Sequence, residues 1–201
     1  MTEEDIEVMR KVFNPGSVAV IGATASPDRI GYNLLDSLID GGYKGKIYPV
    51  HPKLKEILGL PVYPSILDIP ERVDLALIAL KQRDTVDVLE QCGKLGIKGA
   101  VIVAGGFRET GDEGRALEKR LVETARKYGL KVAGPNTLGI MNLEAGLNAT
   151  FYPVSLNKGN VSLISQSGGI GFSIIQKCSD EGIGLNKFVG VGNRSVLEIS
   201  D

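Results

Sequence analysis

Val18-Ala19-Val20-Ile21-Gly22-Ala23-Thr24-Ala25-Ser26-Pro27-Asp28-Arg29-Ile30-Gly31 begins as a short apolar β-branched run, reaches a glycine, passes through small polar residues and opens into an amphipathic helical pattern. That order describes a buried strand turning into a helix. The first N–H groups of such a helix have no partner within it, so its start can hold phosphate. Gly22 lets the main chain approach a ligand with no Cβ in the way, and Thr24 and Ser26 offer hydroxyls to phosphate oxygens. The spacing is not the dinucleotide fingerprint, because the positions two and five residues after Gly22 hold Thr24 and Pro27. A tight turn that binds nothing is the competing reading.

Upstream, residues 2–13 are expected to form an amphipathic helix on the sheet edge, with Thr2 as N-cap, Asp5 in the reciprocal position and Ile6, Met9 and Phe13 along one face. Asn14-Pro15-Gly16 breaks it and delivers the chain into the strand. Downstream, Leu34, Leu35, Leu38 and Ile39 recur at helical spacing until Gly41-Gly42. The second strand, 46–50, runs into His51-Pro52-Lys53. A sheet that binds NAD normally offers a carboxylate to the ribose at this point. Here the charged candidate is Lys53, which favours a phosphorylated ribose: the 3′-phosphate of coenzyme A or the 2′-phosphate of NADP. A solvated surface lysine is the alternative.

The pattern then repeats. Residues 63–70 read as a turn-rich connection with a short helical piece, and 73–80 as a strand buried on both faces. Lys81-Gln82-Arg83 follows at its carboxyl end, the side on which open α/β sheets bind ligands. Asp84 is expected to cap the next helix, with Val86, Val88, Leu89 and Leu95 as its apolar contacts. Residues 100–106 form another apolar strand ending in glycine, 112–128 a strongly patterned helix, and 131–133 a strand ending at Gly134-Pro135-Asn136. Such a run of βα units predicts a Rossmann-like, doubly wound parallel sheet over residues 1–145. Between Ile140 and Lys158 the periodicity weakens, as in a crossing between domains. A strand at 160–164 then meets Ser165-Gln166-Ser167-Gly168-Gly169-Ile170-Gly171, followed by a helix carrying Phe172, Ile174, Ile175 and Cys178, a strand at 187–191 and a helix opening at 197–201. Two strands and a helix bury too little to stand alone, so 146–201 reads as a linker and the first part of a second α/β domain.

Composition narrows the partners. The 201 residues are enough to bury a core without disulfides, and Cys92 and Cys178 lie far apart with no metal-ligand spacing, so both read as core thiols and no metal site is expected. A net charge of −1 and few aromatic residues offer no face for nucleic acid. The start Met-Thr-Glu-Glu-Asp lacks a secretory pattern and no apolar run reaches membrane-spanning length, so a cytoplasmic, membrane-free protein is expected.

Taken together, Val18-Ala-Val-Ile-Gly-Ala23, Ile47-Tyr-Pro-Val-His-Pro-Lys53, Val62-Tyr-Pro-Ser65, Gly134-Pro-Asn-Thr-Leu-Gly139, Asn148-Ala-Thr-Phe151 and Ser165-Gln-Ser-Gly-Gly169 resemble the NDP-forming acyl-CoA synthetases. That family includes ADP-forming acetyl-CoA synthetase and the succinyl-CoA synthetase α subunit, and the pieces occur in its order. The resemblance implies a CoA-binding domain followed by a flavodoxin-like one. It implies that Gly22, Ala23, Thr24 and Ser26 line the nucleotide end of CoA and that Pro52 and Lys53 meet its phosphates. Ala79, Lys81 and Gln82 would flank the adenosine or pantetheine, and Asn136 would lie near the thiol. Ser165, Ser167 and Gly168 match the helix start that receives the phosphate of a phosphohistidine. In the family that histidine and its supporting acidic residue lie beyond the equivalent of Asp201, so no catalytic residue is expected here and His51 reads as a loop residue. Many relatives carry Cys where this chain has Thr137, and often Pro near Lys81.

The function so implied is the CoA-binding portion of an enzyme converting acyl-CoA, ADP and phosphate to acid, CoA and ATP through an acyl phosphate and a phosphohistidine. The fragment alone is expected to be inactive. ADP or ATP with Mg would bind only through an ATP-grasp subunit or domain, in a homo- or hetero-oligomer. The alternatives are a stand-alone, non-catalytic CoA-binding module and an NADP-binding oxidoreductase domain.

Overall fold

Alternation along the central strands sorts their side chains onto two faces, and each face receives its own pair of helices. The computed structural model describes residues 3–154, 156–197 and 199. Helix α1 (Glu3–Phe13) precedes β1 (Ser17–Ile21), α2 (Ile30–Asp40), β2 (Lys46–Val50) and a small hairpin of β3 (Glu56–Ile57) and β4 (Leu60–Pro61). A short 3-10 turn at Ile66–Asp68 leads to β5 (Leu75–Ile78), α3 (Gln82–Lys94), β6 (Gly99–Ile102), α4 (Asp112–Tyr128) and β7 (Lys131–Ala133). The strands lie in the order β2-β1-β5-β6-β7, every neighbour parallel. Val18, Val20, Leu75 and Leu77 face α1 and α2 through Val12, Leu34, Leu35 and Leu38. Ala19, Ile21, Ala76 and Ile78 face α3 and α4 through Val86, Leu89, Cys92, Leu117, Leu121 and Ala125. The sheet is therefore doubly wound, and burying each such leucine stabilises it by about 1.5–3 kcal/mol.

Several local expectations shift. The N-cap assigned to Thr2 lies outside the described residues. Among the described side chains of α1 the buried one is Val12, set against Gly99, whereas Ile6 stays exposed; the helix touches β6 as well as the edge strand β7. Asp84 does not cap α3: the helix starts at Gln82, its N-cap is Lys81 with no side-chain cap, and Asp84 sits in the first turn, where its charge suits the helix dipole. Leu95 is exposed because it is the C-cap beyond the last turn of α3, and Ile39 because it stands beside Leu38 on the solvent side of α2's last turn. Helix α4 has the residues its ends need, with Asp112 and Glu113 in the first turn, Arg126 and Lys127 in the last, and Gly129 in the left-handed conformation as its cap.

The stretch read as a crossing segment contains a buried hairpin, β8 (Gly139–Asn142) and β9 (Leu147–Thr150). Its polar residues bond one another or the end of α1, although the buried Asn142 Oδ1 has no partner, and this removes the apolar pattern but not the burial. Asn142 Nδ2 donates to Phe13 O at 2.9 Å and to Asn14 Oδ1 at 3.0 Å, and Thr150 Oγ1 donates to Asn148 Oδ1 at 2.7 Å. With β10 (Lys158–Ser165) and β11 (Leu185–Gly190), the hairpin forms a mixed sheet of order β10-β11-β8-β9, and α5 (Gly168–Asp180) connects β10 to β11. Ile140, Leu147 and Ala149 join the layer around α2, so the second sheet is seated on the first.

Candidate functional site

The chain crosses from β1 to β2 on one side and later returns past β1 to β5 on the other, and this reversal opens a crevice at the carboxyl ends of β1 and β5. Gly22 follows β1 with φ +87°, and its N–H donates to Val50 O at 3.2 Å. A Cβ on Gly22 would stand 2.5 Å from Ala79 O, and one on Gly31 only 2.0 Å from Gly22 O. The two glycines thus let the β1–α2 turn, the start of α2 and the end of β5 close on one another. Within the turn Ser26 N–H donates to Thr24 Oγ1 at 3.3 Å. Neither α2 nor α3 has a side-chain cap, their N-cap residues being Arg29 and Lys81. Two helix starts with free N–H groups and adjacent cations therefore open on one crevice of about 1170 Å³, large enough for a nucleotide coenzyme.

Gly22, Ala23, Thr24, Ser26, Pro52, Ala79, Lys81 and Gln82 all line that crevice. Lys53 does not; it is exposed on the loop beside Pro52. His51 shapes that loop, its Nδ1 accepting from Lys53 N–H at 3.1 Å and Leu54 N–H at 3.2 Å. His51→Ala is accordingly expected to cost about 1 kcal/mol in chemical denaturation, and His51→Asn, which keeps a local acceptor, to recover part of it. Asn136 stands behind the crevice: its N–H donates to Ala104 O at 2.9 Å, and its Oδ1 lies 3.2 Å from where a Cβ on the crevice residue Gly105 would be.

Ser165, Ser167 and Gly168 form a separate place at the start of α5. Ser167 caps the helix, its Oγ accepting from Ile170 N–H at 3.3 Å, while Ser165 Oγ donates to Ser167 O at 2.8 Å. The hydroxyls are thus engaged in shaping the turn, and the space beside Gly169 is open, with no atom within 4 Å of a Cβ built there. The Gly134–Gly139 turn links the two places, with Asn136 beside Gly105 and Leu138 behind Gly168.

Sequence reasoning missed Gly31, Arg29, Gly105 and a carboxylate pair next to the crevice. A glycine at the start of an otherwise helical pattern was the available signal for Gly31. Buried Glu118 accepts from Arg108 N–H at 2.9 Å, from Asn193 Nδ2 at 3.1 Å and from the Ser195 hydroxyl. Glu109 accepts from Gly106 N–H at 2.7 Å and Asn193 Nδ2 at 2.9 Å. Burial pushes the Glu109 carboxyl up, but the Asn193 amide and the N–H groups of Glu109, Gly106 and Phe107 outweigh it and hold it below the usual range. Among the described residues no group of three or more His, Cys, Asp or Glu could hold a metal, and no helix is long and apolar enough to cross a membrane.

A doubly wound parallel sheet whose switch-point crevice is lined by close-packed glycines and two uncapped helix starts defines a nucleotide-coenzyme-binding α/β protein. Residues 16–142 match the CoA binding domain, and the chain belongs to that family. Residues 158–201 match the succinyl-CoA ligase like flavodoxin domain. The ADP-forming acetate–CoA ligase II subunit alpha of Pyrococcus furiosus is 47% identical over 190 residues, which are 94% of this chain and 41% of that protein. The ADP-forming acetate–CoA ligase I of Archaeoglobus fulgidus is 42% identical over 96% of this chain and 28% of its own length. The dinucleotide-forming acetyl-coenzyme A synthetase 1 of Ca. Korarchaeum cryptofilum, solved with phosphate and ADP, superposes with a TM-score of 0.91 at 41% identity, covering 95% of this chain and 41% of that one. These are the relatives to which the sequence motifs point. The chain spans less than half the length of each.

Proposed function

We propose that this chain is the CoA-binding portion of an ADP-forming acyl-CoA synthetase, with coenzyme A in the crevice between β1 and β5. The observation that carries the reading is the convergence of the Gly22–Gly31 contact and the uncapped starts of α2 and α3 on one crevice, in a chain of the CoA-binding domain family. Gly22, Ala23, Thr24 and Ser26 bring main-chain and hydroxyl groups to the nucleotide end, and helix N–H groups hold its phosphates. Pro52 lines the crevice beside this end, and Lys53 on the same loop reaches toward the 3′-phosphate. Ala79, Lys81 and Gln82 flank the body of the coenzyme, and Asn136 stands near its thiol. Ser167 and Gly168 at the start of α5, with Ser165 shaping the turn, receive a phosphoryl group.

When bound, CoA supplies the thiol that accepts or releases the acyl group; this chain's residues bind and orient it. The remaining chemistry of the reaction, acyl-CoA, ADP and phosphate to acid, CoA and ATP, is proposed to use a phosphohistidine and an ATP-grasp subunit or domain outside these residues, where ADP or ATP binds with Mg. Ile170 and Ile174, one turn apart on α5, are exposed near its start and give such a neighbour an apolar surface. A cytoplasmic setting follows from these substrates.

Titration calorimetry with CoA, dephospho-CoA and NADP tests the reading. CoA is expected to bind and NADP not to, with dephospho-CoA weaker by roughly fivefold, the size of one exposed ionic contact. Lys53→Ala is expected to abolish that difference. Binding of NADP without CoA would make the crevice a redox-cofactor site and overturn the proposal.

A further inference from the structure

Asn193 lies on the segment after β11, far in sequence from the crevice, yet its side chain is buried against three groups that face it. Its Nδ2 is 2.9 Å from Glu109 Oε2 and 3.1 Å from Glu118 Oε2. Carboxylates only accept, so turning the amide over would bring its oxygen against two others with no proton between them. Asn193 Oδ1 must therefore point away from the pair, toward Asn136. The main chains are locked in the same sense: Asn193 N–H donates to Pro135 O at 2.8 Å, and a Cβ on Gly192, which has φ +53°, would stand 2.3 Å from that oxygen.

Asn136 then has one favourable orientation. Its Nδ2 faces Asn193 Oδ1 at 3.5 Å, a long contact whose importance is its sign, because the reversed amide would set two carbonyl oxygens against each other. With Nδ2 so placed, Asn136 Oδ1 faces Gly105. Glu109 Oε1 lies on the same spot, 3.0 Å from a Cβ built on Gly105. Two acceptors thus face the position of a Gly105 side chain from behind the crevice, while the α2 and α3 starts that line it present main-chain donors and the cations Arg29 and Lys81.

We propose that Asn193 is a positioning residue that orients the Asn136 amide, and that the Gly105 end of the crevice thereby selects a ligand group that donates a hydrogen bond and rejects an anion. The proposal rests on the CoA reading for the ligand's identity: the pantetheine tail, with its amide N–H and S–H groups, lies at Gly105 and the phosphates at the helix starts. It also means that the second sheet's trailing segment completes a site built mainly on the first.

The test compares wild type, Asn193→Ser, Asn136→Ala and the double variant for binding of CoA and of 3′-phospho-ADP, which is CoA without its pantetheine tail. Each single variant is expected to weaken CoA binding roughly fivefold, the size of one hydrogen bond, with the double no weaker than Asn136→Ala and 3′-phospho-ADP unaffected. Equal losses for both ligands, or losses that multiply in the double variant, would overturn it. The ligand-free NMR spectrum decides the orientation separately. NOEs from the Asn193 amide protons to the Glu118 side chain are expected in the wild type, and a shift of the Asn136 amide resonances in Asn193→Ser; absence of either overturns the proposal. If the wild type binds neither ligand, the CoA reading fails while the amide spectrum still tests the positioning.

Discussion

Replacing Gly31 by alanine is expected to destabilise the chain by about 3 kcal/mol and to abolish coenzyme binding. The added Cβ would stand 2.0 Å from Gly22 O, 2.9 Å from Gly22 C and 3.2 Å from Ala23 Cα. All three are main-chain atoms, so no side chain can swing away to relieve the clash. Moving the turn the other way is restricted as well, because the Gly22 main chain lies so close to Ala79 O that a Cβ there would stand 2.5 Å from it. The start of α2 must therefore separate from β1, and the N–H groups aimed at the crevice move with it. Gly59→Ala is the control: its φ of +76° strains an alanine, but nothing lies within 4 Å, so a loss of only about 1 kcal/mol is expected. Chemical denaturation and CoA titration of the two variants measure both effects. A Gly31→Ala protein that matches the Gly59→Ala control would show that the close approach is dispensable.

Glu118→Ala is expected to cost a similar amount, about 3 kcal/mol, for a different reason. The carboxylate is buried, and its loss strands the Arg108 N–H and the Ser195 hydroxyl while taking one of two acceptors from Asn193. The segment it holds is tied to the first sheet by two further main-chain bonds, Asn193 N–H to Pro135 O and Leu197 N–H to Val132 O. Native-state hydrogen exchange should therefore speed up at Asn193 and Leu197 in the variant, with little change in the core of β1 and β5. Uniform acceleration across both sheets would instead mean that Glu118 supports the whole fold and has no particular role in seating the segment.

Much of the first sheet could be read directly. Ser17–Ile21, Lys46–Val50, Asp112–Tyr128 and Lys131–Ala133 stand where the apolar runs and glycine stops put them. Strands buried on both faces need continuous apolar side chains, and that demand is visible without knowing any partner. The hairpin at Gly139–Asn142 and Leu147–Thr150 was not legible, because its polar residues are buried with partners that sequence does not reveal: Thr150 bonds Asn148, and the Asn142 amide bonds the end of α1. A buried polar group looks like a loop residue until its hydrogen-bond partner is known.

The candidate site divides in the same way. Gly22, Thr24 and Ser26 are neighbours in the chain, and their pattern by itself identifies a turn able to meet phosphate. The gathering of Pro52, Ala79 and Lys81 around that turn follows from the parallel order of the strands, which the repeated strand and helix pattern already implies. Tertiary structure alone decided that Gly31 touches Gly22, that Lys53 stands outside the crevice wall, and that Asn193 reaches the Asn136 turn. Local pattern encodes which backbone conformation a residue prefers and which side it buries. It carries no record of a main-chain approach so close that a Cβ would stand 2.0 Å from a carbonyl oxygen, or of which amide face a distant carboxylate will hold, since those depend on how finished elements pack.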